Sequence, residues 1–140
     1  RGGARAGDAS ARAAEVSLPP NFMLRPPKMK LGLVTYNIAK DWDVPTLIKN
    51  CAAAGFQGAE LRTSHAHGVE VSLTPAQRAE VKKRFSDSSV ALMGLGSAFD
   101  FHTPDLAKLR ADIAATKEYI LLAQDVGAPG VVGYVVRRGP

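Results

Sequence analysis

The chain has 140 residues, 46% hydrophobic and 22% charged, which suits one soluble globular domain with a modest core. No apolar run reaches the length of a membrane span, and the single cysteine, Cys51, excludes an internal disulfide or a cysteine-based zinc cluster. The net charge of +5 is uneven, because Arg1, Arg5, Arg12, Arg25, Lys28 and Lys30 face only Asp8 and Glu15 in the first 30 residues. The remainder is almost neutral and lacks the clustered basic face that a phosphate backbone requires, so neither nucleic acid nor membrane is an expected partner.

Residues 1–29, rich in Ala, Gly, Arg and Pro and without apolar periodicity, read as a disordered or leader-derived tail. The chain opens on Arg1 rather than Met, which predicts a piece of a longer translation product. Ala11-Arg12-Ala13 has the form of an export cleavage site but lacks the preceding apolar segment. Cytoplasmic location is the expectation, with export as the alternative if the tail is the remnant of a leader.

Leu31 to Tyr36 is a short β-favouring run without strict alternation, as in a strand covered on both faces. Asp43 then caps a helix with Pro45 in its first turn; Leu47, Ile48, Cys51 and Ala52 recur at helical spacing, and Gly55 ends it. A second strand spans about Gly58 to Leu61. Thr74-Pro75-Ala76-Gln77 is a capping box opening a second helix to about Phe85, with Ala79, Val81 and Phe85 expected inward and Arg78, Lys82, Lys83 and Arg84 outward or along the rim. Val90 to Gly96 reads as a third strand whose Gly94 and Gly96 suggest that a side chain or ligand crowds the backbone. Thr103-Pro104-Asp105 repeats the cap pattern and starts the longest helix, which ends at Gly127; its expected stripe is Leu106, Leu109, Ile113, Ile120 and Ala123. Val131 to Val136 supplies a fourth strand.

The order β-α-β-α-β-α-β predicts an α/β fold with a parallel sheet. A doubly wound sheet commonly carries a glycine-rich phosphate loop after its first strand, but Thr35-Tyr36-Asn37-Ile38 stands there. The expectation is therefore an incomplete (β/α)8 TIM barrel, about its first four strands and three helices, over residues 30–140; a whole barrel takes roughly 250 residues.

Leu31-Gly-Leu-Val-Thr-Tyr36, Ala54-Gly-Phe-Gln-Gly-Ala-Glu60-Leu61 and Ala123-Gln-Asp-Val-Gly-Ala-Pro-Gly130 give the chain a resemblance, over about residues 30–132, to the xylose-isomerase-like barrels. That family includes sugar phosphate isomerases and epimerases and, more distantly, zinc-dependent AP endonucleases. The resemblance implies a carbohydrate substrate and, in the full-length relative, a divalent metal (Mn, Mg, Zn or Co) held by carboxylates and a histidine from strands beyond Pro140. No cofactor is therefore expected in this chain alone. The nucleases of the superfamily place a metal-binding histidine at the end of the third strand, where this chain has Gly96-Ser97-Ala98.

The candidate substrate-binding residues are Glu60, His65, His67, Asn37 and His102; no metal ligand and no catalytic residue is assigned. Glu60 ends the second strand, where a barrel presents side chains to its mouth; it could bind sugar hydroxyls or pair with Arg62. His65 and His67, if the loop is extended, point the same way toward one ligand, but two histidines are short of a zinc site. Tyr36 and Asn37 end the first strand as hydrogen-bonding groups. Trp42 is either a lid or packing. His102 follows Phe99-Asp100-Phe101, whose rings either wall a sugar pocket or belong to the core.

Two functions from different classes fit these observations. One is a fragment of an isomerase or epimerase that moves a proton between neighbouring carbons of a ketose or aldose, inactive alone. The other is a binding or assembly module that forms a homodimer through open sheet edges. A zinc nuclease is a third reading, set back by the near-neutral charge.

Overall fold

The structure, a computed structural model, describes residues 29–134. The expected tail, Met29 apart, and the end of the expected fourth strand lie outside the described residues. Seven elements follow one another: β1 Gly32–Val34, α1 Val44–Ala53, β2 Gly58–Arg62, α2 Pro75–Ser86, β3 Ala91–Asp100, α3 Leu106–Val126 and β4 Val131–Tyr134. The strands form one sheet in the order β1-β2-β3-β4 with every neighbouring pair parallel. A doubly wound sheet reverses its strand order at a switch point, whereas a barrel does not, so this sheet is four strands of a (β/α)8 winding.

Local chemistry fixes the helix ends. Asp43 accepts the Thr46 amide at 2.8 Å, with Pro45 in the first turn of α1. Thr74 and Gln77 close the capping box of α2. The third start differs from expectation. Asp105, not Thr103, is the N-cap of α3, and its carboxylate takes the amides of Ala107 and Lys108. Gly55 and Gly127, with φ of 78° and 79°, follow α1 and α3 in the left-handed conformation that only glycine adopts cheaply.

The core lies between one face of the sheet and the helices. Leu33, Ala59, Leu61, Leu92 and Leu95 of the strands meet Val44, Leu47 and Cys51 of α1, Val81 and Phe85 of α2, and Tyr119, Leu122, Ala123 and Val126 of α3. Burial pushes the Cys51 thiol pKa up. Several inward assignments fail: Ala52, Ala79, Leu106, Ile113 and Ile120 are exposed. Arg78, expected outward or along the rim, is partly exposed and bonds through Nε to the Leu73 carbonyl at 3.0 Å and through Nη2 to that of Val71 at 2.6 Å. Its Nη1 reaches Asp125 on α3 at 2.8 Å. Trp42 is half-buried against the core, the packing role rather than the lid.

Candidate substrate site

Alternation along the strands separates two faces. Leu33, Ala59, Leu61 and Leu95 point to the helices; Val34, Glu60, Arg62, Gly94 and Gly96 share the opposite face, the interior of a barrel. A register shift between Ala59 and Glu60 inserts Met93 on that inner side, where it lies over Gly58. Glu60 pairs in register with Val34 and Gly94, and its carboxylate leans across β3. A Cβ added to Gly96 would come within 2.8 Å of Glu60 Oε1, and one added to Gly94 would lie 3.9 Å from Glu60 Cγ. The expected crowding holds at Gly96, by the Glu60 carboxylate, whereas Gly94 has only ordinary contacts, the nearest with the Gly130 carbonyl at 3.6 Å. Glu60 is half-buried, and among the described residues no hydrogen bond reaches its carboxylate. The Arg62 guanidinium lies over the Tyr36 ring, 4.8 Å from its centroid.

Beyond β2 the chain makes a tightly fastened loop. The Thr63 amide donates to the Gly96 carbonyl at 2.8 Å, Ala66 to Lys40 at 2.9 Å and Gly68 to His65 at 3.1 Å. The Ser64 amide, at a residue with φ of 65°, donates to Glu70 Oε1 at 2.6 Å. The other oxygen of Glu70 receives the Tyr119 hydroxyl from α3. Burial and that carboxylate push the phenol pKa well above its usual range. Phe99 stacks edge-on against Tyr119 with centroids 5.4 Å apart, so Phe99 is a core ring rather than a pocket wall.

The two histidines do not project together. His67 is buried; its Nδ1 accepts the Val69 amide at 3.0 Å, so its Nε2 carries the proton and donates to the Arg62 carbonyl at 2.7 Å. Burial, ahead of opposing help from Arg62 and Glu70, holds its pKa below the ordinary histidine value. Both nitrogens are spent, so His67 shapes the loop instead of meeting a ligand. The expectation failed because the segment turns rather than runs extended. His65 packs edge-on to it at 6.1 Å, stays half-exposed, and has Nδ1 3.0 Å from Thr35 Oγ1.

Asn37 is exposed just past β1. His102 lies farther along β3's rim, its amide donating to Asp100 Oδ1 at 3.0 Å and its Nδ1 standing 2.5 Å from the same oxygen, bent away from hydrogen-bond geometry. The Asp100 amide is held at 3.0 Å by Asp112, whose pKa the Lys108 ammonium lowers. Glu60, expected at the end of the second strand, is thus the central residue of β2, which runs on to Arg62, while Asn37, His65 and His102 follow β1, β2 and β3 at the carboxyl end of the sheet. Thr35, Glu70 and Tyr119 escaped sequence reading because their partners lie far along the chain.

A cavity of about 470 Å³ is at the opposite end of the sheet, among Lys30, Gln57, Lys82, Phe85 and Leu92. That end of a barrel serves stability rather than chemistry. A divalent metal, which the fold family implies, needs several converging ligands. No group of three such side chains exists among the described residues, so these residues do not build a metal cage.

No family profile matches the chain, and no curated protein matches it in sequence. Solved structures do match in fold. An IolI protein with a bound zinc atom is similar over 75% of this chain and 37% of its own, with a TM-score of 0.62 and 16% identity. A probable 3-DHS dehydratase, AsbF, involved in petrobactin synthesis in Bacillus anthracis, is similar over 76% of this chain and 38% of its own, with a TM-score of 0.56 and 15% identity. The likeness shows the fold, that of part of a (β/α)8 barrel. It spans under two fifths of the length of these two structures. Identity this low conveys architecture and not activity.

Proposed function

We propose that the chain forms one wall of a sugar-sized site in a xylose-isomerase-like barrel whose complete form transfers a proton between neighbouring carbons of a ketose or aldose. The observation that carries this is Glu60: a carboxylate from the middle of β2, on the inner face, reaching over β3 where Gly96 lacks a Cβ. A carboxylate placed so accepts hydrogen bonds from substrate hydroxyls, and Asn37, His65 and His102 follow the first three strands at the carboxyl end of the same sheet. The zinc atom in the IolI structure supports a divalent metal in relatives. Its ligands would come from chain outside these residues.

The reading is tested on residues 1–140 by NMR titration with fructose. The Gly94 and Gly96 amides should shift, the shifts should disappear in Glu60→Gln, and no isomerisation should occur with added manganese or magnesium. Shifts only around Lys82 and Leu92, or turnover by this chain alone, would reject it.

A second reading rests on the inner face itself. Val34, Met93 and Val132 are 47%, 53% and 48% exposed, and β1 and β4 are unpaired on their outer edges among the described strands. A second copy related by a two-fold along the barrel axis would set β4 beside the partner's β1, still parallel, and bury these side chains. Sedimentation should then show a discrete dimer; a monomer or a polydisperse aggregate would exclude this assembly. No helix among the described residues is long and apolar enough to cross a membrane.

A further inference from the structure

Proton counting at Thr35 assigns His65 a definite role. Thr35 is wholly buried, and its Oγ1 accepts the Arg62 amide at 2.9 Å. A hydroxyl holds one proton, and a buried donor left without an acceptor is costly. Among the described residues the acceptor within reach is His65 Nδ1, at 3.0 Å. Nδ1 must therefore be bare, and the neutral ring carries its proton on Nε2. His67 arrives at the same tautomer through the Val69 amide, but it spends its Nε2–H on the Arg62 carbonyl. The Nε2–H of His65 has no partner among the described residues, and the ring is half-exposed. Its aim is fixed by bonds on both sides, Ala66 to Lys40 and Ser64 to Glu70.

We propose that His65 is a hydrogen-bond donor to a substrate oxygen, the oxygen of a sugar or of its phosphate, with Thr35 as the residue that positions it. His65 then serves as neither proton acceptor nor metal ligand at Nε2, because moving its proton to Nδ1 would strand the Thr35 hydroxyl. The substrate part rests on the sugar-wall reading above; the tautomer does not.

Long-range proton–nitrogen NMR of labelled residues 1–140 reads the tautomer directly. The expected spectrum shows His65 bare at Nδ1 and protonated at Nε2, unchanged in Thr35→Ser and shifted toward a mixture in Thr35→Val. A protonated Nδ1 in the unmodified chain, or a Thr35→Val spectrum identical to it, overturns the positioning role. Titration with fructose and, separately, inorganic phosphate then separates the two oxygen sources by which one moves Nε2. His65→Gln, which keeps an N–H donor, should hold affinity within about threefold, while His65→Ala should lose about tenfold, the worth of one hydrogen bond. If fructose shifts Gly94 and Gly96 while neither probe moves His65, the donor assignment fails and the sugar wall stands. If phosphate moves His65 but fructose shifts neither glycine, the donor stands and the sugar wall fails.

Discussion

The two faces of one four-stranded sheet have opposite fates. On the helix side Ala59, Leu61 and Leu95 are sealed, whereas across the same strands Val34, Met93 and Val132 remain about half exposed and a carboxylate lies over bare glycine backbone. The sealed face supplies folding energy from within the chain. The open face leaves about half of these apolar side chains uncovered, so it is available to whatever binds there. Substitutions on the two faces should separate accordingly. Leu61→Ala, at a residue 1% exposed, should cost about 2–5 kcal/mol in urea denaturation. Val34→Ala, one strand away on the open face, should cost no more than about 0.5 kcal/mol. Equal losses would mean that the inner face is covered in solution, which is the signature of the dimer.

The loop after β2 breaks this simple division, because polar contacts rather than apolar burial hold it. Tyr119→Phe removes the hydroxyl that reaches Glu70 and should destabilise by about 1–3 kcal/mol, since the carboxylate is left half-buried with one partner fewer. A Thr35→Ser control, which keeps its hydroxyl, should change stability less. The reverse order would assign the loop's stability to Thr35 and His65 rather than to Glu70.

Much of this architecture was legible because short-range chemistry writes it. Asp43, Thr74 with Gln77, Gly55 and Gly127 each act within a few residues, so helix boundaries followed from sequence. The face of α3 did not. Leu106, Ile113 and Ile120 are spaced as a helical stripe, yet the buried stripe is Tyr119, Leu122, Ala123 and Val126, about a third of a turn round the helix. Periodicity finds an apolar face, but contact with the sheet decides which face is used. β3 likewise runs to Asp100 instead of Gly96, because its pairing with β4 resumes at Tyr134 after a register shift. In the site, Gly96 announced a crowded backbone and Gly94 did not, while His67 misled. The local turn that folds its imidazole onto Arg62 and Val69 leaves no mark in an i, i+2 spacing.

That turn predicts a pH effect smaller than the losses above. Burial lowers the pKa of His67 in the folded chain, so the unfolded chain takes up a proton first as pH falls below about 6.5. The unfolded state then binds more protons, and stability should decline from about pH 6.5 downward, with a plateau above. His67→Gln should start from a lower plateau but show a shallower decline over the same interval. A parallel decline in both proteins would place the titration elsewhere.

The smallest change in stability should accompany the largest change at the site. Gly94→Ala meets only ordinary contacts, the nearest being the Gly130 carbonyl at 3.6 Å, and should be neutral or slightly stabilising by about 0.5 kcal/mol through reduced unfolded-chain freedom. Gly96→Ala faces Glu60 Oε1 at 2.8 Å, and since that atom ends a flexible side chain it can move aside, leaving stability within about 1 kcal/mol. The carboxylate would nonetheless leave its place over β3, so the fructose-induced shifts should weaken in Gly96→Ala and persist in Gly94→Ala. If both variants bind alike, the position of Glu60 over the glycines is packing alone; if only Gly96→Ala fails, the open face keeps a gap for a working carboxylate.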